Sequence, residues 1–305
     1  LVLIGHRCAH QNFEKIKNNS MPKSSKKSTP KPSFDSTAMR AFMERTLSGF
    51  GPGKPNNEQR ARDLVYDAME ASTWEQRIRL TRQALDLDPE NVDALLMMVN
   101  VTDIEGDEKI EALRTVVAAG ARSLGKKAFK ELVPHFWGFI ETRPYMRARA
   151  QLAIALRDAG RLDEAASEFN EMLKLNEGDN QGMRYELLTV LLVLGRLDEA
   201  RALFDRYPYD SESSMVFLWG RVLERVLSND EAASADALTQ ARKQNAHVEA
   251  YLKGTRKLPK NLPYGYSFGS KEEAICFGDM LLMAWNAHPA AKAWIAKQPA
   301  KSSKK

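Results

Sequence analysis

GRLDEA stands at Gly160–Ala165 and again at Gly195–Ala200, 35 residues further on. At the same offset Arg149 pairs with Arg184, Leu152 with Leu187, Leu156 with Leu191 and Phe169 with Phe204. One unit has been used twice. In the first copy Leu152, Ala153, Leu156 and Ala159 fall on one helical face, which predicts an amphipathic helix. Gly160 predicts its end, because a glycine takes the left-handed conformation that a β-carbon disfavours. Asp163 and Glu164 then sit where the dipole of a second helix favours negative charge. Ala165 is small where two helices cross, and Phe169, Met172 and Leu173 fill the groove beyond it. Each unit therefore reads as helix–turn–helix.

A period of about 34 residues with this pattern resembles the tetratricopeptide repeat. Leu152, Ala153, Leu156, Gly160, Ala165 and Phe169 carry the resemblance. Glu177 stands in place of the closing proline and Arg149 in place of the early tryptophan. Other stretches follow the same plan more loosely. Ala61–Trp74 (Leu64, Val65, Ala68) leads into QALDLDPEN at Gln83–Asn91. Val92–Gly120 carries Leu95, Met98 and Ala118. Val216–Ala246 carries Trp219, Gly220, Leu223, Leu238 and Ala241. About five helical hairpins are expected, with a non-repeat helical insert at Leu124–Pro144. Alternating β-branched runs and hairpin turns are missing. The expected fold is all-α, a right-handed α-solenoid over residues 58–291.

A second resemblance lies in the last third. Asn245-Ala246-His247-Val248, Tyr251-Leu252, Gly269-Ser270, Glu273-Ala274 and Trp285 are similar to the end of the suppressor-of-tumorigenicity-seven family, with Ala246 where that family has proline. A related pattern is that of bacterial tetratricopeptide proteins with a Phe-Trp-Gly-Phe…Thr-Arg-Pro-Tyr-Met-Arg segment, here Phe136–Arg147, and an Asp-Asn-Gln-Gly segment, here Asp179–Tyr185. Neither resemblance implies a catalytic activity. Animal members of the first family are membrane-associated, but the membrane segments they use are not found in this sequence.

Composition narrows the function classes. The 305 residues carry a formal charge of +5 and only two cysteines, Cys8 and Cys276, so a disulfide scaffold is excluded. Five scattered histidines argue against a multi-ligand zinc site. The longest apolar runs fall short of the ~18 residues of a membrane helix. Segments 1–20, 21–33 and 292–305 carry +2, +4 and +5, which leaves about −6 for residues 34–291. The Lys/Ser/Pro-rich ends are expected to be disordered tails, with 1–20 a translated leader ahead of Met21 and 34–57 a linker or short helix. The folded part is mildly acidic.

HFWGFIETRPYMRAR (His135–Arg149) is the richest stretch chemically. Arginines there can grip a carboxylate while aromatics exclude water, or they can pair with acidic residues while the aromatics pack between helices. Side chains on the first helices of a solenoid line its concave face. Arg143, Tyr145, Arg147, Arg149, Arg184 and Tyr185 are therefore the expected groove residues, reading an acidic peptide end, with Arg184 a second rung below Arg149. The Lys and Asn positions of the chaperone-tail clamp are occupied by other residues. His135 and His247 read as structural groups rather than bases, and Cys276 as a small buried hydrophobe. GFGPGKP at Gly49–Pro55 reads as a linker, because Pro55 cannot replace the hydroxyl of a phosphate loop. In PYGYSFGS (Pro263–Ser270), Ser270 with Glu273 reads as a capping box.

These residues lead to the expectation of a non-catalytic, cytoplasmic scaffold that binds a peptide or protein partner. No cofactor, metal or small-molecule substrate is expected. The alternative is a nucleic-acid-associated factor whose Lys-rich tails act by counterion release, with the repeats as docking module.

Overall fold

The computed structural model describes residues 56–299. The expected leader, the 21–33 tail, most of the 34–57 linker with its GFGPGKP motif, and residues 300–305 lie outside them. The described residues form fifteen α-helices and two short 3-10 turns. The fold is an all-α helical repeat. The chain divides into two compact units, meeting in sequence between Gly178 and Asp179.

The first unit opens with α1 (Asn57–Glu70) and α2 (Trp74–Leu87). Asn56 caps α1, and Gln59 returns the bond to the Asn56 N–H, a full capping box. Thr73 caps α2. Ala61, Val65 and Ala84 pack this hairpin together with Ala94 of α3 (Val92–Val101). The next helix, α4 (Gly106–Glu131), is broken at Gly125, whose φ is +66°. Gly120 lies at a crossing: a β-carbon there would stand 3.1 Å from the Tyr145 ring. After a cis Val133–Pro134 bond come the turns Phe136–Gly138 and Ile140–Thr142. The expected helical insert at 124–144 is therefore a helix end followed by 3-10 turns. Pro144 then starts α5 (Arg143–Asp158), which pairs with α6 (Leu162–Leu175).

The second unit repeats the hairpin in α7 (Met183–Val193) and α8 (Leu197–Arg206). A short α9 (Pro208–Ser213), not anticipated from the sequence, precedes the hairpin of α10 (Met215–Leu227) and α11 (Glu231–Gln244). Then come α12 (Val248–Leu252), an irregular stretch containing Pro263–Ser270, α13 (Lys271–Cys276), α14 (Gly278–Asn286) and α15 (Pro289–Lys297). Trp219 and Trp285 are fully buried, and the Trp219 Nε1–H donates to the Asn245 carbonyl at 3.1 Å. Residues Lys292–Lys297, assigned above to a disordered tail, belong to α15. Ala291 and Ile295 supply the missing reason: both are fully buried, giving the segment an apolar face.

The two GRLDEA copies adopt the same local structure. Gly160 and Gly195 have φ of +75° and +68°. Arg161 N–H bonds the Leu156 carbonyl and Arg196 N–H the Leu191 carbonyl, both at 2.9 Å. The motif also encodes a salt bridge: Arg161 forks onto Glu164 and Arg196 onto Glu199, with shortest distances of 2.6 Å. A β-carbon at either glycine would meet open space, so its cost is conformational alone. Gly160→Ala and Gly195→Ala are each expected to destabilise by about 1 kcal/mol. Urea unfolding checks this, and a stability unchanged in both would contradict it.

Candidate functional site

The six arginine and tyrosine residues singled out above fall into two places. Arg143, Tyr145, Arg147 and Arg149 belong to α5 of the first unit, and Arg184 and Tyr185 to α7 of the second.

In the first unit the guanidinium groups face inward partners. Arg147 makes a two-point bond to Asp93 at the start of α3, with Nε–Oδ1 at 2.9 Å. Arg149 reaches Glu168 of α6 at 2.7 Å and the Tyr145 hydroxyl at 3.0 Å. Burial works against the Arg149 charge, but Tyr145, Glu168 and Glu171 outweigh it and hold its pKa above the ordinary arginine range. Tyr145 is itself buried, edge-on to Phe129 and Phe136. Arg143 differs: its Nε donates to the Trp137 carbonyl at 3.0 Å and its charge lies over the Trp137 ring at 5.7 Å. It takes no carboxylate among the described residues. Here Phe136 and Tyr145 serve packing, and two of the three arginines serve internal pairing.

Arg184 is equivalent to Arg149 in sequence but not in its contacts. The position that matches Glu168 in the second copy is Leu203. Arg184 turns instead to Asp179 (2.8 Å) and Asp210 (3.1 Å), residues without a carboxylate counterpart in the first copy. The two rungs of one ladder expected from the sequence are thus two different constructions. Asp179, itself at φ +41°, also accepts the Met183 and Arg184 backbone N–H groups, and so holds the start of α7. Tyr185 donates to Asp210 at 2.6 Å. Burial opposes the Arg184 charge, and Tyr185, Asp179 and Asp210 outweigh it, raising its pKa.

Around Arg184 and Tyr185 the second unit forms a cavity of about 460 Å³. Its lining adds Asp210, Gln244, Tyr266, Phe268, Glu273 and Phe277, among others. Tyr185 is edge-on to Phe277 (6.1 Å), Phe277 to Tyr266 (5.6 Å) and Tyr266 to Phe268 (6.2 Å). This chain of rings runs from the interior outward to Phe268, which is 84% exposed. Tyr209, also in the lining, is 80% exposed. Burial, then the Glu273 and Cys276 charges, push the Tyr266 phenol up.

The Ser270–Glu273 capping box is present in altered form. Ser270 Oγ accepts the Glu273 N–H, but the Glu273 carboxylate reaches Gly269 N–H rather than Ser270 N–H. The turn chemistry of the loop marks neither Tyr266 nor Phe268 as site residues, and the capping box accounts for Glu273 without pointing to a cavity. The alternation of Tyr264, Tyr266 and Phe268 is the signal that could have found them. His135 and His247 are exposed, and Cys276 is buried in α13. Among the described residues no group of three or more His, Cys, Asp or Glu side chains is placed to hold a metal ion. None of the described helices is long and apolar enough to cross a membrane.

Successive helix hairpins define a helical-repeat protein, a class that offers extended binding surfaces. Residues 147–213 match the tetratricopeptide repeat family, from the second turn of α5 to the end of α9. Repeats of this family generally mediate protein–protein interaction. The match ends before the C-terminal segments that carry the second resemblance. No curated protein matches the chain.

Elsewhere in the second unit Glu249 is held by Arg242 (2.6 Å) and Lys253 (2.8 Å). Burial opposes its charge, but these bonds prevail and hold its carboxyl below the usual range. A carboxylate lowered by folding contributes stability above its unfolded pKa of about 4.3, which is lost as pH falls through the folded value. Thermal unfolding is therefore expected to show a fall in midpoint below about pH 4 that is smaller in Glu249→Gln. Parallel curves for the two proteins would contradict this.

Proposed function

We propose that this protein is a non-catalytic interaction scaffold that binds a peptide segment of a partner protein, and that the aromatic cavity around Arg184 and Tyr185 is where the segment is held. The carrying observation is the cavity itself: exposed Phe268 and Tyr209 at its edge, over a continuous chain of edge-on rings. Large exposed aromatics beside a pocket are the composition of interaction hot spots. The repeat match supports the same reading. Placing a photo-crosslinking amino acid at position 209, and at the exposed Glu75 of α2 as control, tests it in the full chain. A discrete adduct from position 209 and none from 75 is expected. No adduct from 209 defeats the site.

A second reading keeps the acidic peptide expected from the sequence, now at Arg143. It rests on the absence of a carboxylate partner for that guanidinium among the described residues. Arg143→Ala then lowers affinity for an acidic peptide, and unchanged affinity removes the reading. For the nucleic-acid alternative no observation speaks. Its Lys-rich segments lie outside the described residues except for Lys292 and Lys297 in α15.

A further inference from the structure

The proposed peptide site has a chemistry of its own that opposes an acidic occupant. Its one basic residue, Arg184, is already spanned by Asp179 and Asp210. Facing the same space is Glu273, only 2% exposed. One of its oxygens is spent: Oε2 accepts from Gly269 N–H at 2.7 Å and from Asn245 Nδ2 at 2.9 Å. Oε1 takes no hydrogen bond from the described residues. Gln244, also in the lining, has its amide oxygen buried without a donor. An amide can present either end, so the weight rests on Glu273, which as a carboxylate can only accept. Its second oxygen keeps contact with the open space of the cavity, where an incoming donor can reach it.

The ring faces complete the chemistry. Tyr266, Phe268 and Phe277 line the same cavity as Glu273, with Tyr266 edge-on to both of the others. Aromatic faces attract an ammonium or guanidinium and give an anion nothing. The cavity lining thus holds two carboxylates, Asp210 and Glu273, against the one guanidinium of Arg184, with an unused carboxylate oxygen and several rings.

We infer that the cavity of the second unit receives a lysine or arginine side chain from the partner segment, its cationic head meeting the free oxygen of Glu273 and its stem lying along Tyr266 and Phe268. This rests on the peptide-binding reading of the same cavity and assigns its specificity. The occupant is a basic segment of a partner protein. The chain's own lysines at 301–305 are the rival occupant.

Fluorescence anisotropy of three labelled peptides tests it on the full chain. They are acetylated, amidated and identical except for a central pair of Lys, norleucine or Glu. The Lys peptide is expected to bind at least about tenfold more tightly than the other two, and to lose about tenfold on Glu273→Gln. Because Glu273→Gln touches the start of α13, Phe268→Ala serves as a second variant. Its side chain is exposed, and about a threefold loss is expected there. Equal binding of the three peptides, or preference for Glu, overturns the cation assignment while leaving the peptide site standing. The peptide site itself falls with the crosslink at 209. If the Lys peptide binds only a chain ended after Pro299, the chain's own lysines fill the cavity, and the partner assignment is overturned.

Discussion

Phe204→Ala is expected to cost about 4 kcal/mol, and Phe169→Ala about the same. Both rings are at most 2% exposed and occupy the same position in the two copies of the repeat. Removing a buried phenyl loses its transfer free energy and leaves a cavity that close-packed neighbours fill only in part. Phe204 has more to lose than area. It lies edge-on to Phe217 at 5.7 Å, and the Arg221 guanidinium sits 4.4 Å above its ring. Phe204→Leu, which keeps most of the volume, should recover the larger part of the loss. Hydrogen exchange locates the damage. Phe169→Ala should lower protection in α5 and α6, and Phe204→Ala in α7, α8 and α10. A loss under ~1 kcal/mol in both variants, well below the usual cost of a buried phenyl, would mean that the repeated phenylalanine does not hold the hairpins.

Arg147→Met carries the second large effect. The Arg147 and Asp93 side chains are 23% and 10% exposed and share two hydrogen bonds. Removing the guanidinium leaves a carboxylate nearly buried and short of its donors, which typically costs 3 kcal/mol or more, so about 3 kcal/mol is expected. The pair as a unit is worth much less, because both charges were taken out of water to make it. The double variant Asp93→Ala, Arg147→Met should therefore be more stable than Arg147→Met alone. Urea unfolding of the four proteins gives the cycle. If Arg147→Met leaves stability unchanged and abolishes peptide binding, Arg147 is a ligand-gripping residue after all.

The hairpins were legible because they repeat physically simple demands. An apolar stripe, a left-handed glycine and a small residue at the crossing recur at 160–165 and 195–200, and the two hairpins there follow the boundaries those residues imply. Even the Arg161–Glu164 fork could have been read from its spacing. The partners of Arg147 and Arg149 could not. Asp93 lies 54 residues from Arg147, and sequence spacing does not say which of the chain's many acidic residues a guanidinium will meet. The repeat aligns Arg184 with Arg149, yet Leu203 stands where Arg149 finds Glu168, so the two arginines meet different partners. The C-terminal cavity was hidden because it joins the periodic α7 to α9, α10, α11, α13 and an irregular loop, and α9, α13 and the loop do not follow the period. The tail boundary at 292 followed its lysines and missed the buried Ala291 and Ile295 beneath them.

The central claim is that a partner segment is held in the second unit, by Glu273 and the rings around it. Selection of peptides from a random displayed library against the full chain, followed by hydrogen exchange with the selected sequences, tests it most directly. The account predicts peptides that carry Lys or Arg and that shield residues 208–216 and 263–277. Selected peptides that are acidic and that shield residues 143–149 instead would contradict it.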